Sequence, residues 1–361
     1  MKPIAFYLPQ YHEVEENNLW WGQGFTEWDT VRKAKKYCRN QIQPKVPLGE
    51  NYYSLDDEEA KALTWQAELA KKYGVYGFAF YHYWFKDNKK MLYKPMEILK
   101  EHKEIDTRYC ICWANEPWRR TWYAGNSEIL IDQDYGTKKD WIEHYNYLKT
   151  FFDDERYIKE NNKPVVIIYR TAAIDCLKEM IDLWNELAIK DGFNGLFVIS
   201  ERTSFAIDNR CDCFSAYCDF EPAYTLHYRL SKLQHMKRGL KRYWKRFCNM
   251  FCKEKRVENV LNMKTLTSKM GTDTSFNNLH VYPGICPSWD NTPRKGSKGM
   301  FLKKASPILF YNKLKALNSE RNRDEFVFIN AWNEWSEGAF LEPDEENKYA
   351  FLESIKNALD E

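Results

Sequence analysis

The sequence predicts an α/β protein folded as a single (β/α)8 TIM barrel over residues 1–361. Three observations carry the prediction. Eight short β-prone runs alternate with segments of helical periodicity. Most of the runs are almost continuously apolar, as parallel strands covered on both faces require. No GxGxxG or Walker pattern follows the first run, which argues against a doubly wound sheet. No internal repeat or low-complexity linker divides the chain, so one domain is expected.

In chain order, strand one is IAFYL (4–8). A helix over 58–74 starts after Asp56 and Asp57, carries apolar residues at helical spacing and stops at Gly74. VYGFAFY (75–81) is strand two, LYKPMEILKEHKE (92–104) a helix and RYCICW (108–113) strand three. The helix KKDWIEHYNYLKTFF (138–152) leads to strand four, PVVIIY (164–169). AIDCLKEMIDLWNELAIKDG (173–192) is helical and again ends at Gly, before strand five, GLFVIS (195–200), and strand six, CFSAY (213–217). HVYPGI (280–285) is strand seven. The helix SPILFYNKLKALN (306–318), strand eight EFVFIN (325–330) and the helix ENKYAFLESIKNAL (346–359) complete the alternation.

Composition narrows the function. Net charge is +2, which does not mark a nucleic-acid binder. Aromatic residues make up 16% of the chain, with 14 Trp and 24 Tyr, more polar-edged rings than a core alone needs. Such rings suit carbohydrate sites, where the apolar face of a sugar stacks on them. The ten cysteines include no CxxC pair and the seven His have no finger spacing, so neither a metal nor a cofactor is expected. No run reaches the ~18 apolar residues of a membrane span. The start MKPIAFYLPQYHE lacks a signal-peptide h-region. Reduced thiols and a cytoplasmic address are expected.

Barrel chemistry gathers at the C-terminal ends of the strands. Strand eight delivers WNEWSEG there, with Trp332, Asn333, Glu334, Trp335 and Glu337. Strand one ends in Tyr11 and His12, and strand two in YHYWF, with His82 and Trp84. Strand three runs into Trp113, Asn115, Glu116 and Trp118, followed by Arg119 and Arg120. Glu221 follows strand six and Trp289 follows strand seven. Trp21 and GFTEW, with Glu27 and Trp28, lie in the long first loop. All are candidate substrate contacts, with Glu334, Glu337 and Glu116 the catalytic candidates. Some have a plainer reading: His82 as a core histidine, Glu27 as a loop-orienting acid, and the late glutamates as partners of Arg119 or Arg120.

Two carboxylates beside aromatic rings suit glycosidic bond cleavage. The leaving oxygen needs a proton, and the developing oxocarbenium needs a base, a nucleophile or a negative charge. Residues three apart on a helical turn have Cβ atoms roughly 5–6 Å apart, near the carboxyl spacing of retaining glycosidases.

GFTEW (24–28), the QP..P of 43–47, WANEPW (113–118) and NAWNEWSEGAFLEP (330–343) resemble the WbsX-type proteins. These are a glycoside hydrolase family 99-like group of bacterial surface-polysaccharide loci, often labelled glycosyltransferases. The resemblance implies a (β/α)8 enzyme that cleaves or remodels a surface polysaccharide or its lipid-linked precursor. Carried over by motif, Glu334 is the base that removes the proton of a sugar 2-hydroxyl, and Glu337 is the general acid/base. Ser336 stands where those hydrolases commonly have His. The NEP segment supports a second assignment, common among retaining barrel glycosidases, with Glu116 as acid and Glu334 or Glu337 as nucleophile. A glycosyltransferase of O-antigen or capsule assembly and a non-catalytic carbohydrate-binding barrel are the alternatives.

One segment interrupts the rhythm. Residues 228–256 hold eleven Lys/Arg against one Glu, a charge of +10 in a chain of +2, which leaves −8 elsewhere. Apolar residues recur at 230, 233, 236, 240, 243 and 247, with basic residues between them. The pattern predicts a basic amphipathic helix, inserted over 224–275 between strands six and seven. It is expected to dock on the barrel by its apolar stripe and keep its charges in water. The alternative is attachment to an anionic membrane surface, at the inner membrane face.

Overall fold

The computed structural model describes residues 1–119 and 128–360. Arg120, proposed above as a partner of the late glutamates, lies outside them.

Eight strands form one parallel array: β1 Lys2–Tyr7, β2 Gly77–Trp84, β3 Arg108–Trp113, β4 Lys163–Ile168, β5 Phe197–Arg202, β6 Ala216–Asp219, β7 Leu279–Tyr282 and β8 Phe326–Ile329. Each of β1 to β6 pairs in parallel with its successor, and β1 also pairs with β8. β7 continues past Pro283 as Gly284–Ile285, and this continuation pairs in parallel with Phe328 and Ile329 of β8. One segment thus serves β6 with its first half and β8 with its second. Gly284 makes the switch feasible, because a Cβ there would lie 1.8 Å from the Asp219 carbonyl oxygen. Gly77 does the same for β2, where a Cβ would meet the Arg108 carbonyl at 2.5 Å.

The helices, in order, are α1 Glu15–Trp21, α2 Glu27–Arg32, α3 Lys61–Lys72, α4 Lys94–Glu101, α5 Lys138–Phe152, α6 Leu177–Lys190, α7 Lys232–Phe251, α8 Met263–Thr267, α9 Thr292–Lys295, α10 Pro307–Glu320 and α11 Ala350–Asp360. All six long helices expected outside the basic segment are present, with 138–152 matching its bounds and the others differing by a few residues at their ends. The first loop, expected only as a source of contacts, also folds into α1 and α2. Thr26 and Asp29 form a reciprocal capping box on α2, as Thr137 and Asp140 do on α5. Strand residues such as Ile4, Phe80, Ile111, Val166 and Phe328 are fully buried, so the sheet is the centre of the core.

Three strands run past their expected ends: β2 reaches Trp84, and in β5 and β6 the extension is held by charge pairing. β5 continues through Glu201 and Arg202, and β6 through Asp219, all buried. Arg202 Nη2 meets Asp219 at 2.6 Å and Asp273 at 2.7 Å. Arg229 Nη2 meets the other Asp219 oxygen at 2.6 Å, and its Nη1 meets Glu221 at 3.0 Å. Paired in this way, residues that read as strand terminators sit inside the fold.

The helix α7 is where expected, but its orientation is the reverse of the docked reading. Its inner face is polar: Arg238 Nε donates to Asn259 Oδ1 at 3.1 Å, Lys245 Nζ to the Val257 carbonyl at 3.1 Å, and Asn249 Nδ2 to the Arg256 carbonyl at 2.7 Å. The apolar stripe faces outward. Among the described residues no helix is long and apolar enough to cross a membrane.

Candidate active site

β8 stops at Ile329, and the chain crosses a cis Asn330–Ala331 peptide before the motif. Asn333 then ties this segment to the end of β1. Its Nδ2 donates to the Leu8 carbonyl at 3.0 Å, and its Oδ1 accepts from the Leu8 N–H at 2.7 Å. The Tyr11 hydroxyl donates to the Asn333 carbonyl and accepts from the Trp335 N–H at 3.3 Å. Residues Trp335–Glu337 form a single 3-10 turn, which Gly338 ends in the left-handed region at φ 59°. The Asp290 N–H donates to the Glu337 carbonyl at 2.6 Å, so the chain beyond β7 holds this turn from the other side.

The turn presents Glu334 and Glu337 to one cation. Arg294, on α9, donates from Nη2 to Glu27 Oε1 at 2.7 Å and Glu334 Oε2 at 3.2 Å, and from Nη1 to Glu337 Oε1 at 3.0 Å. The Ser336 hydroxyl also donates to Glu27. Burial pushes the Glu334 carboxyl up to about 8, against the pull of Arg294 and with the help of Glu337 and Glu27. The phenols of Tyr81 and Tyr83, on β2, are both raised by burial and then by the Glu334 charge.

A family model described as Glycosyltransferase WbsX matches residues 3–355. The chain belongs to the WbsX family. It is also 30% and 29% identical over 361 residues to the WxcX proteins of two strains of Xanthomonas campestris pv. campestris, covering 99% of this chain and 49% of each relative. The chain spans about half the length of these curated relatives. Among solved structures, a glycoside hydrolase-like protein aligns with a TM-score of 0.61 at 15% identity over 99% of this chain and 93% of that one. The family 99 endo-alpha-mannosidase of Bacteroides thetaiotaomicron aligns with a TM-score of 0.55 at 12% identity over 99% and 96%. These two likenesses establish a shared fold.

The WbsX chain separates its sequence candidates into four groups. Glu27, Glu334 and Glu337 meet at Arg294. Glu116 stands apart, half-buried, with Arg170 Nη1 on its Oε1 at 3.1 Å; burial raises its carboxyl and Arg170 opposes the rise. Burial raises the Tyr169 phenol, and the charges of Glu116, Glu201 and Glu337 raise it further. Trp118 lies edge-on to Tyr83 at 5.0 Å, and Trp21 lies 5.8 Å from Phe25; both are partly exposed.

The other candidates are all buried. Trp332 is wholly buried, edge-on to Phe78 at 5.0 Å. Trp335 stacks on Phe340 at 3.8 Å, and its indole N–H donates to Glu342 at 2.6 Å. Trp28 is buried, with its N–H on the Tyr53 carbonyl at 2.8 Å. Tyr11 and Asn333 are used up by the ties just described. His82 lies 2.9 Å from His144, and burial pushes it down to about 3, so it is a neutral core ring. Trp84 stacks on the same His144 at 4.6 Å, and Trp113 donates to the Trp84 carbonyl at 3.2 Å. His12 is buried and pushed down to about 4 by desolvation. Asn115 pins β3 to the end of β4, donating to the Arg170 carbonyl and accepting from its N–H. Glu221 is locked to Arg229 and Thr225. Trp289 is on the wall of a cavity of about 450 Å³ that also includes Pro222, Leu226, His235, Arg238 and Met300.

Three residues of the region were not legible in advance. Arg294 sits in TPRK, which reads as an ordinary surface turn. Glu342 accepts from Gln66, Tyr53 and Trp335 and is pushed up to about 7 by burial. Glu201 is buried at the end of β5, accepts from the Cys112 thiol at 3.2 Å and is pushed up to about 8, again by burial. Its place, two residues beyond an apolar run, was the available signal.

Proposed function

We propose that this chain is a carbohydrate-active enzyme that cleaves or remodels glycosidic bonds in an oligo- or polysaccharide through Glu334 and Glu337. The observation that carries this is the convergence of Glu27, Glu334 and Glu337 on the single cation Arg294. An ionised Glu334 removes the proton of a sugar 2-hydroxyl. The freed oxygen attacks the anomeric carbon, the glycosidic bond breaks, and Glu337 gives its proton to the leaving oxygen. A base whose conjugate acid titrates near the working pH is well matched to this task, and a carboxyl raised to about 8 is such a base. Water or an acceptor hydroxyl then opens the strained sugar, giving hydrolysis or transfer. The scaffold we infer is a closed (β/α)8 barrel, supported by β7 pairing with both β6 and β8, with 224–275 inserted into it.

The family description favours a second reading, transfer from a nucleotide donor. One experiment separates the two: incubation with α-linked oligosaccharides and, separately, with sugar nucleotides plus acceptor, followed by mass spectrometry. Released or rearranged sugar without nucleotide supports the proposal; consumption of nucleotide donor supports the second reading. Glu334→Gln and Glu337→Gln are each expected to lower turnover by about 100-fold or more, within the range of single acid–base contributions. Glu116→Gln is expected to lower it by less than about 10-fold. Loss on the Glu116 variant equal to that on one late glutamate would transfer the acid role to Glu116.

A further inference from the structure

We infer that α7 is a membrane-surface helix, and that this face of the protein lies on an anionic lipid bilayer. The inference does not depend on the sugar chemistry. It rests on the direction of the apolar stripe. Met236, Leu240, Tyr243, Trp244, Phe247 and Phe251 stand outward on one side of α7, with Tyr243 74%, Trp244 65% and Phe251 75% exposed. A soluble helix turns such residues to the core. Here the inward hydrogen bonds come from Arg238, Lys245 and Asn249 instead, to Asn259, Val257 and Arg256 of the chain that follows α7, and Arg238 also reaches Met300 Sδ at 3.9 Å. The helix start is fixed by Ser231, which accepts from Gln234 N at 3.2 Å, so α7 is a formed element rather than a frayed arm.

Charge selects the occupant. Lys232, Lys237, Lys241, Arg242 and Arg246 flank the apolar ridge and are themselves exposed. The segment 228–256 contains eleven Lys/Arg and one Glu, while the rest of the chain is acidic. Protein interfaces deplete lysine around their apolar centres. Helices that lie in the headgroup region carry the opposite composition, with Lys/Arg on the polar side and Trp, Phe and Leu on the other. The basic side chains can extend to lipid phosphates while the ridge enters the acyl boundary, and Trp and Tyr favour that depth.

The test is co-sedimentation of the full chain with phosphatidylcholine vesicles, with and without phosphatidylglycerol. Binding to the anionic vesicles at low salt, and release as salt screens the charges, is expected. The triple variant Leu240→Glu/Trp244→Glu/Phe251→Glu changes only outward residues, so its thermal unfolding is expected to match that of the parent. Its affinity for anionic vesicles is expected to fall by about tenfold or more, as loss of the inserted apolar area requires. Lys241→Ser/Arg242→Ser/Arg246→Ser is expected to flatten the salt dependence while leaving the ridge intact. Failure of the parent to bind, equal binding to neutral vesicles, or unchanged binding by the triple variant overturns the inference. So does a parent dimer that the triple variant dissolves without any vesicle binding, which assigns the ridge to a second copy of the chain.

Discussion

Arg294 sets the protonation of its neighbours as well as their positions. Its charge opposes the burial that raises Glu334 to about 8, so removing it moves that carboxyl higher still. With Glu334 as base, kcat/KM is expected to rise as pH increases through about 8. Arg294→Met is expected to move this limb upward by about 1–3 pH units, the usual reach of one opposite charge, while Arg294→Lys keeps most of the original profile. A pH profile that instead falls through the same range marks Glu334 as the acid. Stability has its own sign. The raised carboxyl favours the folded state fully below its ordinary 4.5, and that contribution is lost as pH rises through about 8. At this scale the acids of the motif were legible, because NEWSEG places two of them on one turn. The fate of the indoles was not. A tryptophan beside an acid reads the same whether it faces a sugar or, like Trp335, is fixed by a buried partner as remote as Glu342.

Among the elements, β7 has the most demanding geometry. Gly284→Ala places a methyl group 1.8 Å from the Asp219 carbonyl, closer than any relaxed contact, and neither strand has a flexible group to move aside. Destabilisation of about 3 kcal/mol or more is expected from thermal or urea unfolding, at the upper end of overpacking costs. Beside it, Arg229 compensates Asp219 and Glu221, which are both fully buried. Arg229→Met leaves Glu221 without its cation and Asp219 with Arg202 alone, and is expected to cost about 3–5 kcal/mol. A smaller loss would mean that Arg202 alone holds Asp219. The strands themselves were legible as apolar runs to within a few residues, RYCICW with its ends correct. Their charged extensions in β5 and β6 were not, because an ion pair closed by residues tens of positions apart leaves no local pattern. The period of α7 was equally plain, yet periodicity gives the stripe and not the side it faces.

At the scale of the molecule, charge is divided between parts. The positive surplus sits on one helix and its flanks, and the acids that meet at Arg294 belong to the negative remainder. The order of β1 to β8, with helices between most of them, followed from alternation alone, and the long first loop was the part least accessible to that reasoning. Its path is set by contacts at long range, such as Trp28 to Tyr53 and Glu27 to Arg294. Glu27 thereby joins a loop near the N-terminus to a turn near position 337, so two ends of the sequence meet through one guanidinium.

A guanidinium shared among three acids makes those acids interdependent. Trimming one to alanine would hand its donor to the other two, alter how they titrate and shift the loop that brings Glu27 in. Losses measured at these positions should therefore not sum. Amide replacements, which keep an acceptor in place, are the cleaner way to ask what each carboxyl contributes.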